Sequence, residues 1–180
     1  RQQIAAKEAA ATRYAKRAIS RSGTKISIPG TFTMYQQEEK SYCIPATLQS
    51  MLMYINGDSP DQSKIAEEVG TSSFKIPAYL NARQSFYYVY VSAPDQEDMC
   101  EKLYSTIAGS GMPASMGISG TTTKDWYYTT RGHSLVVNAI YDDYSKIQFG
   151  DPLGDYADGC PYFYEKDAST VSKYCTRIVY

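Results

Sequence analysis

Residues 37–55 read Gln37-Glu38-Glu39-Lys40-Ser41-Tyr42-Cys43-Ile44-Pro45-Ala46-Thr47-Leu48-Gln49-Ser50-Met51-Leu52-Met53-Tyr54-Ile55. Ile44, Leu48, Met51, Leu52 and Ile55 recur in steps of three and four. That period predicts a helix with one buried face. Pro45 suits a first helical turn, where its missing N–H goes unmissed. Asn56-Gly57 is the stop, because glycine takes the left-handed conformation that follows a helix. Cys43 therefore falls at or beside the N-cap. A helix N-terminus carries roughly half a positive charge and several unpaired N–H groups, and both favour thiolate over thiol. A cysteine so placed, beside a protonated histidine, can drop from a pKa of about 8.5 to about 3.5–7.5. The Cys43 N–H would then point to where a tetrahedral oxyanion forms, and the amide of Gln37, six residues earlier, could supply a second donor. Taken alone, a cysteine at a helix start is more often a small buried hydrophobe, so the downstream chain decides.

The rest of the composition sets bounds. A chain of 180 residues is most simply one domain with a real core. The formal charge of −1 implies no strong attraction to nucleic acid or membrane overall. No apolar run approaches the roughly 20 residues that span a bilayer. The chain begins at Arg1 without methionine, as a mature or truncated fragment would. Residues 1–21 are alanine-rich, with six basic side chains against Glu8 alone. We expect residues 1–24 to be a basic helix or linker and residues 25–180 the folded domain. With Cys43 set aside, Cys100, Cys160 and Cys175 remain. Three cysteines allow one disulfide, with Cys160–Cys175 the preferred pair, or three reduced buried thiols. The 18 tyrosines and modest lysine content suit a secreted or cell-surface protein.

In order, short irregular segments over 25–36 lead into the cysteine helix. A second helix starts at Asp58-Ser59-Pro60, with Ile65, Ala66 and Val69 inward and Gly70 as its stop. A short helix is expected around Pro77 and Leu80, a strand over Phe86–Val91, a helix over Asp95–Ala108 and a strand over Met112–Ile118. Residues 117–131 form a long polar stretch ending in Trp126, Tyr127 and Tyr128. It is either a loop whose aromatics cover core or the wall of a substrate groove lined by Trp126 and Tyr127.

Gly132-His133 then opens the clearest strand of the chain, and Lys146 to Asp151 forms a second, ended by Pro152. His133 is the only histidine. In an antiparallel hairpin the start of one strand lies beside the end of the other, and a diagonal pair on one face is about 7–8 Å apart. Parity decides whether Asp151 reaches His133. A three-residue loop sets Asp151 opposite Leu135, on the His133 face. A four-residue loop sets it opposite Val136, pointing away. We therefore expect an odd loop or a bulge. The roles follow: Cys43 attacks as thiolate, His133 carries the proton, Asp151 fixes the ring, and Gln37 with the Cys43 N–H binds the oxyanion.

At these residues the chain resembles the stand-alone members of the bacteriocin-processing-peptidase-like family, papain-fold cysteine peptidases related to double-glycine peptidases. The likeness rests on Tyr42-Cys43-Ile44-Pro45-Ala46-Thr47, Ser59-Pro60-Asp61-Gln62, Gly132-His133-Ser134-Leu135-Val136-Val137 and Gln148-Phe149-Gly150-Asp151-Pro152, within residues 32–155. The resemblance implies an α+β papain-like fold, with a helical part carrying Cys43 packed on an antiparallel sheet carrying His133. It implies hydrolysis of a peptide or protein substrate with no metal or other cofactor, and assigns nucleophile, base, orienting partner and oxyanion residue to Cys43, His133, Asp151 and Gln37. Other readings of the same residues are acyl transfer or amide hydrolysis on a non-peptide or cell-wall substrate, and a binding module that keeps the fold without the reaction.

Overall fold

The computed structural model describes residues 1–17, 21–156 and 159–180. In chain order the helices are α1 (Gln2–Arg17), α2 (Cys43–Asn56), α3 (Gln62–Val69), α4 (Ile76–Asn81), α5 (Gln96–Tyr104) and α6 (Ala168–Tyr174). The strands are β1 (Lys25–Ser27), β2 (Tyr90–Ser92), β3 (Ala114–Ile118), β4 (His133–Tyr141), β5 (Lys146–Gly150), β6 (Phe163–Asp167) and β7 (Cys175–Val179). The expected α+β architecture is present. A helical part built on α2 packs against one antiparallel sheet ordered β2-β7-β3-β4-β5-β6. β1 pairs with the end of β4 that β3 leaves free.

α2 forms where the periodicity places it. Ile44, Leu48, Met51 and Leu52 are buried against α3 and β4. Its last turn closes on Gly57, at φ 70°, whose N–H donates to the Met53 carbonyl. In α3, Ile65 and Val69 are buried, and so is Gln62, which acts as a brace. The Gln62 amide accepts from the Glu38 N–H and donates to the Gln36 carbonyl and to Gln49. The loop before Cys43 is thus stitched to α2 and α3 by a side chain that leaves no buried polar group idle.

The β4–β5 hairpin resolves the parity question by a bulge. Its loop has four residues, 142–145, and Ile140 pairs with Ile147. The register then slips at Asn138, so that Val137 faces Phe149 and Val136 faces Gly150. One step further, Asp151 lies beyond Gly150 and opposite Leu135, on the His133 face. The extra residue is satisfied on both sides. Its carbonyl accepts from the Ile28 N–H at 3.0 Å and its side chain from Gln148 at 3.2 Å.

Other segments depart from the patterns. Of the expected 86–91 strand only Tyr90 and Val91 are regular, within β2. Upstream, the Asn81 amide exchanges two hydrogen bonds with the Tyr88 backbone and Gln84 two with Phe86, taking the groups a ladder would need. The expected 95–108 helix runs as α5 into a π-helical turn, Ser105–Gly109, with Met99, Leu103 and Ile107 buried. The C-terminal region contributes β6, α6 and β7, and β7 enters the sheet between β2 and β3. The preferred Cys160–Cys175 disulfide is not formed: all four cysteines are free. The Cys160 thiol turns to Asp151 and the Pro161 carbonyl, while Cys175 turns to the Arg177 carbonyl. α1 packs on α5 through buried Ala11 and Ala15. Residues 18–20, within the expected basic segment 1–24, lie outside the described residues.

Gly57 isolates a backbone effect, because a Cβ there would meet no neighbour within 4 Å. Gly57→Ala should lower stability by about 1–2 kcal/mol, the cost of a left-handed alanine, read as a shift of the urea midpoint at unchanged slope.

Candidate active site

The β4 start and the α2 start meet at an open cavity of about 460 Å³ lined by Cys43, Ile44 and His133 among others, and the segment after β5 reaches His133 from behind through Asp151. Cys43 is half-buried in the first turn of α2. Tyr42, at the N-cap, has no side-chain capping hydrogen bond, so the first N–H groups of the helix are left without a capping partner. The sulfur is approached by the N–H groups of Ile44 and Ser134 and by the His133 ring.

His133 is buried. Its Nε2 lies 2.8 Å from Asp151 Oδ1, which leaves Nδ1 as the ring nitrogen for Cys43. Asp151 is fully buried. Its Oδ1 also accepts from the Leu153 N–H at 2.8 Å. Its Oδ2 accepts from the hydroxyls of Tyr128 and Tyr164, each at 2.6 Å, and from the Cys160 thiol at 3.7 Å. Behind Tyr164, the Trp126 indole N–H donates to the phenol oxygen at 2.9 Å. A continuous chain of hydrogen bonds thus runs from the core to the imidazole.

These contacts set the protonation states. Burial is the largest influence on Cys43 and pushes the thiol up. The hydrogen bond and charge of His133, with the Ser134 and Ile44 N–H groups, outweigh it and hold the pKa below the ordinary thiol value. Burial pulls His133 down, but hydrogen bonds and charge from Asp151 and Cys43 push it up to about 9. Burial likewise raises Asp151, yet His133 and the two tyrosines hold it below the usual carboxylate range. Between the two limits the pair is thiolate and imidazolium. Burial pushes Cys100 and Cys175 up to about 12, and burial with the Asp151 charge pushes Cys160 higher still.

One expectation needs correction. Trp126 and Tyr127 do not line the cavity. Trp126 is buried behind it against Phe149, Tyr164 and Tyr174, and Tyr127 is exposed, with Lys166 over its ring. Gln37 is buried beside the site, but its Nε2 donates to the Glu39 and Lys40 carbonyls at 2.9 and 3.0 Å. Both amide hydrogens are therefore committed to the loop, and Oε1 is buried without a partner. The backbone ties Gln37 to the segment following Asp151, through its N–H to the Pro152 carbonyl at 2.9 Å. Sequence reasoning missed Tyr128 and Tyr164. Tyr128 sat one residue beyond the aromatics chosen, and nothing in the pattern marks Tyr164.

Helices and sheet meeting at a cysteine and a histidine define the class, a papain-like cysteine peptidase fold. Solved structures agree. The peptidase domain of Streptococcus ComA, described as a bi-functional ABC transporter involved in a quorum sensing pathway, superposes at TM-score 0.51 with 13% identity, over 83% of this chain and 97% of that one. Xylellain, a cysteine protease from Xylella fastidiosa, does so at 0.53 with 12% identity, over 86% and 84%. The bromelain protease from Ananas comosus in complex with the E64 inhibitor gives 0.50 and 12%, over 87% and 97%. No curated protein matches the chain in sequence. Residues 30–174 match the Peptidase_C39 like family, to which this chain belongs. It is a cysteine-type peptidase.

Three outcomes follow. Iodoacetamide at pH 6–7 should label Cys43 alone, at a rate that holds well below pH 8.5, where an ordinary thiol is mostly protonated. The sign is fixed by the pair: acid protonates the thiolate, and alkali removes the imidazolium proton. kcat/KM should therefore be bell-shaped with its alkaline limb near 9. Tyr164→Phe removes one donor from the buried Asp151 and should lower stability by about 1–3 kcal/mol, measured by urea unfolding.

Proposed function

We propose that the chain hydrolyses peptide bonds with Cys43 as nucleophile, His133 as acid and base, and Asp151 as the group that orients the ring. The observation that carries this reading is the hydrogen-bonded run from Tyr164 through Asp151 to His133, ending at a sulfur on an uncapped helix start. The thiolate attacks the scissile carbonyl and forms a C–S bond. The oxyanion is met by the Cys43 N–H at the open end of α2. His133, protonated from the outset, gives its Nδ1 proton to the leaving amine as the C–N bond breaks. Water then enters, His133 takes its proton, and the resulting hydroxide splits the thioester to release acid and regenerate the thiolate. Throughout, Asp151 stays ionised and holds Nε2. Gln37 adds the second oxyanion donor by giving up one of its two loop carbonyls when substrate enters.

The test is turnover of a peptide library followed by mass spectrometry. Cys43→Ala and His133→Ala should each lose at least about 10³-fold in kcat. Cys43→Ala should keep a urea midpoint close to that of the parent chain, while His133→Ala, which leaves the buried Asp151 carboxylate without its ionic partner, should also unfold at lower urea. Full turnover by Cys43→Ala contradicts the mechanism. Gln37→Ala should lower kcat by about 10²–10³-fold; a fall in stability with kcat unchanged would make Gln37 a brace of the loop and nothing more.

A further inference from the structure

Arg177, on β7, is a buried cation with no carboxylate partner among the described residues; the negative charge that reaches it comes from Cys43, Tyr90 and Cys175 at a distance, without an ion pair. It is 5% exposed, has no ion pair among the described residues, and its Nη1 is buried without a hydrogen-bond partner. A buried charge without a hydrogen-bonded ionic partner is costly, and this one is not hidden in the core. It lines the cavity that holds Cys43 and His133.

The neighbouring strand is shaped to admit it. Gly117 on β3 pairs with Arg177 on one side and with Ser134, the residue after His133, on the other. A Cβ at Gly117 would come within 2.9 Å of Arg177 Cγ, Cζ and Nε. The arginine side chain lies across the one position in that row without a side chain. The register also slips between Gly117 and Ile118, which leaves Thr176 unpaired opposite β3, and Thr176 lines the cavity too.

The charge of the lining points the same way. Lys40 and Arg131 stand at the same cavity, both exposed and without ion pairs among the described residues, and no Asp or Glu lines it. On a chain of net charge −1, the cavity is thus cationic. Such a cleft draws in and concentrates anions, and a guanidinium fork matches a carboxylate in two-point geometry.

We propose that Arg177 is a specificity-determining residue, binding a carboxylate of the peptide substrate, from an acidic side chain or a chain terminus, close to the scissile bond. This rests on the peptidase reading of Cys43. The carboxylate supplies the missing partner to Nη1, and the exposed Lys40 and Arg131 steer it inward.

The experiment compares matched peptides that carry Glu or Gln at each position around the cleaved bond, and a free acid or amide at the C-terminus. One position, or the free terminus, should favour the carboxylate by about 10- to 100-fold in kcat/KM, the range for a hydrogen bond to a charged group. Arg177→Gln should collapse that ratio and Arg177→Lys should keep part of it, with the rate of Cys43 alkylation unchanged in both. Should the variants fail to fold, the parent chain still decides the matter. The preferred Glu peptide should protect Cys43 from iodoacetamide at concentrations where its Gln counterpart does not. Cleavage without any carboxylate preference overturns the proposal and leaves the peptidase reading standing. So does an Arg177→Gln variant that slows alkylation and lowers Glu and Gln peptides equally, since the guanidinium would then serve the thiolate. No cleavage of any peptide, with a Cys43 that alkylates as an ordinary thiol, sinks the peptidase reading first and this proposal with it.

Discussion

A carboxylate with no exposure to water has to be held ionised by its surroundings, and the active-site region is arranged around that requirement at Asp151. Burial favours the neutral acid. Against it stand a backbone N–H, two tyrosine hydroxyls, a thiol and the His133 ring, all directed at two oxygen atoms. Once the negative charge is fixed, the rest follows in sequence. It raises the imidazole, and the raised imidazole lowers the thiol. The charge separation between Cys43 and His133 is therefore stabilised from a point one residue beyond the end of β5.

This dependence explains why distant parts of the chain are joined so tightly there. Tyr128 comes from the polar loop before β4, Tyr164 from β6, and the Gln37 N–H reaches the carbonyl next to Asp151. Gln36 adds a bond to the Gly154 carbonyl at 2.9 Å. The approach to α2 and the exit from β5 therefore move as one piece, which keeps the nucleophile and the ring in register. Trp126 belongs to this support. Its indole fixes the Tyr164 hydroxyl from behind, a role for an aromatic in the core rather than at a substrate surface.

What the sequence carried, and what it did not, divides along physical lines. Local periodicity and stop signals defined α2, its glycine cap and the start of β4, because these depend on residues within one or two turns. The parity argument across the hairpin was also legible, since side-chain alternation is fixed by backbone geometry. It required a bulge if the loop was even, and Asn138 provides one. Long-range partners were not legible. Nothing near Tyr164 or Arg177 signals a neighbour, because their partners lie in other strands. The Cys160–Cys175 pairing failed for the same reason: counting thiols says nothing about where each one points. The Phe86–Val91 strand was overread because propensity ignores the amide side chains of Asn81 and Gln84, which take those backbone groups.

His133 is the sole histidine, so one nucleus reports on the central claim. Two-bond ¹H–¹⁵N correlation spectra of the uniformly ¹⁵N-labelled protein resolve its two ring nitrogens without assignment. The account requires a doubly protonated ring at pH 7, losing its proton near pH 9, with that midpoint falling in Cys43→Ala as the thiolate is removed. A ring that is neutral at pH 7 and titrates near the ordinary value of about 6.5, unaffected by the loss of Cys43, would contradict it.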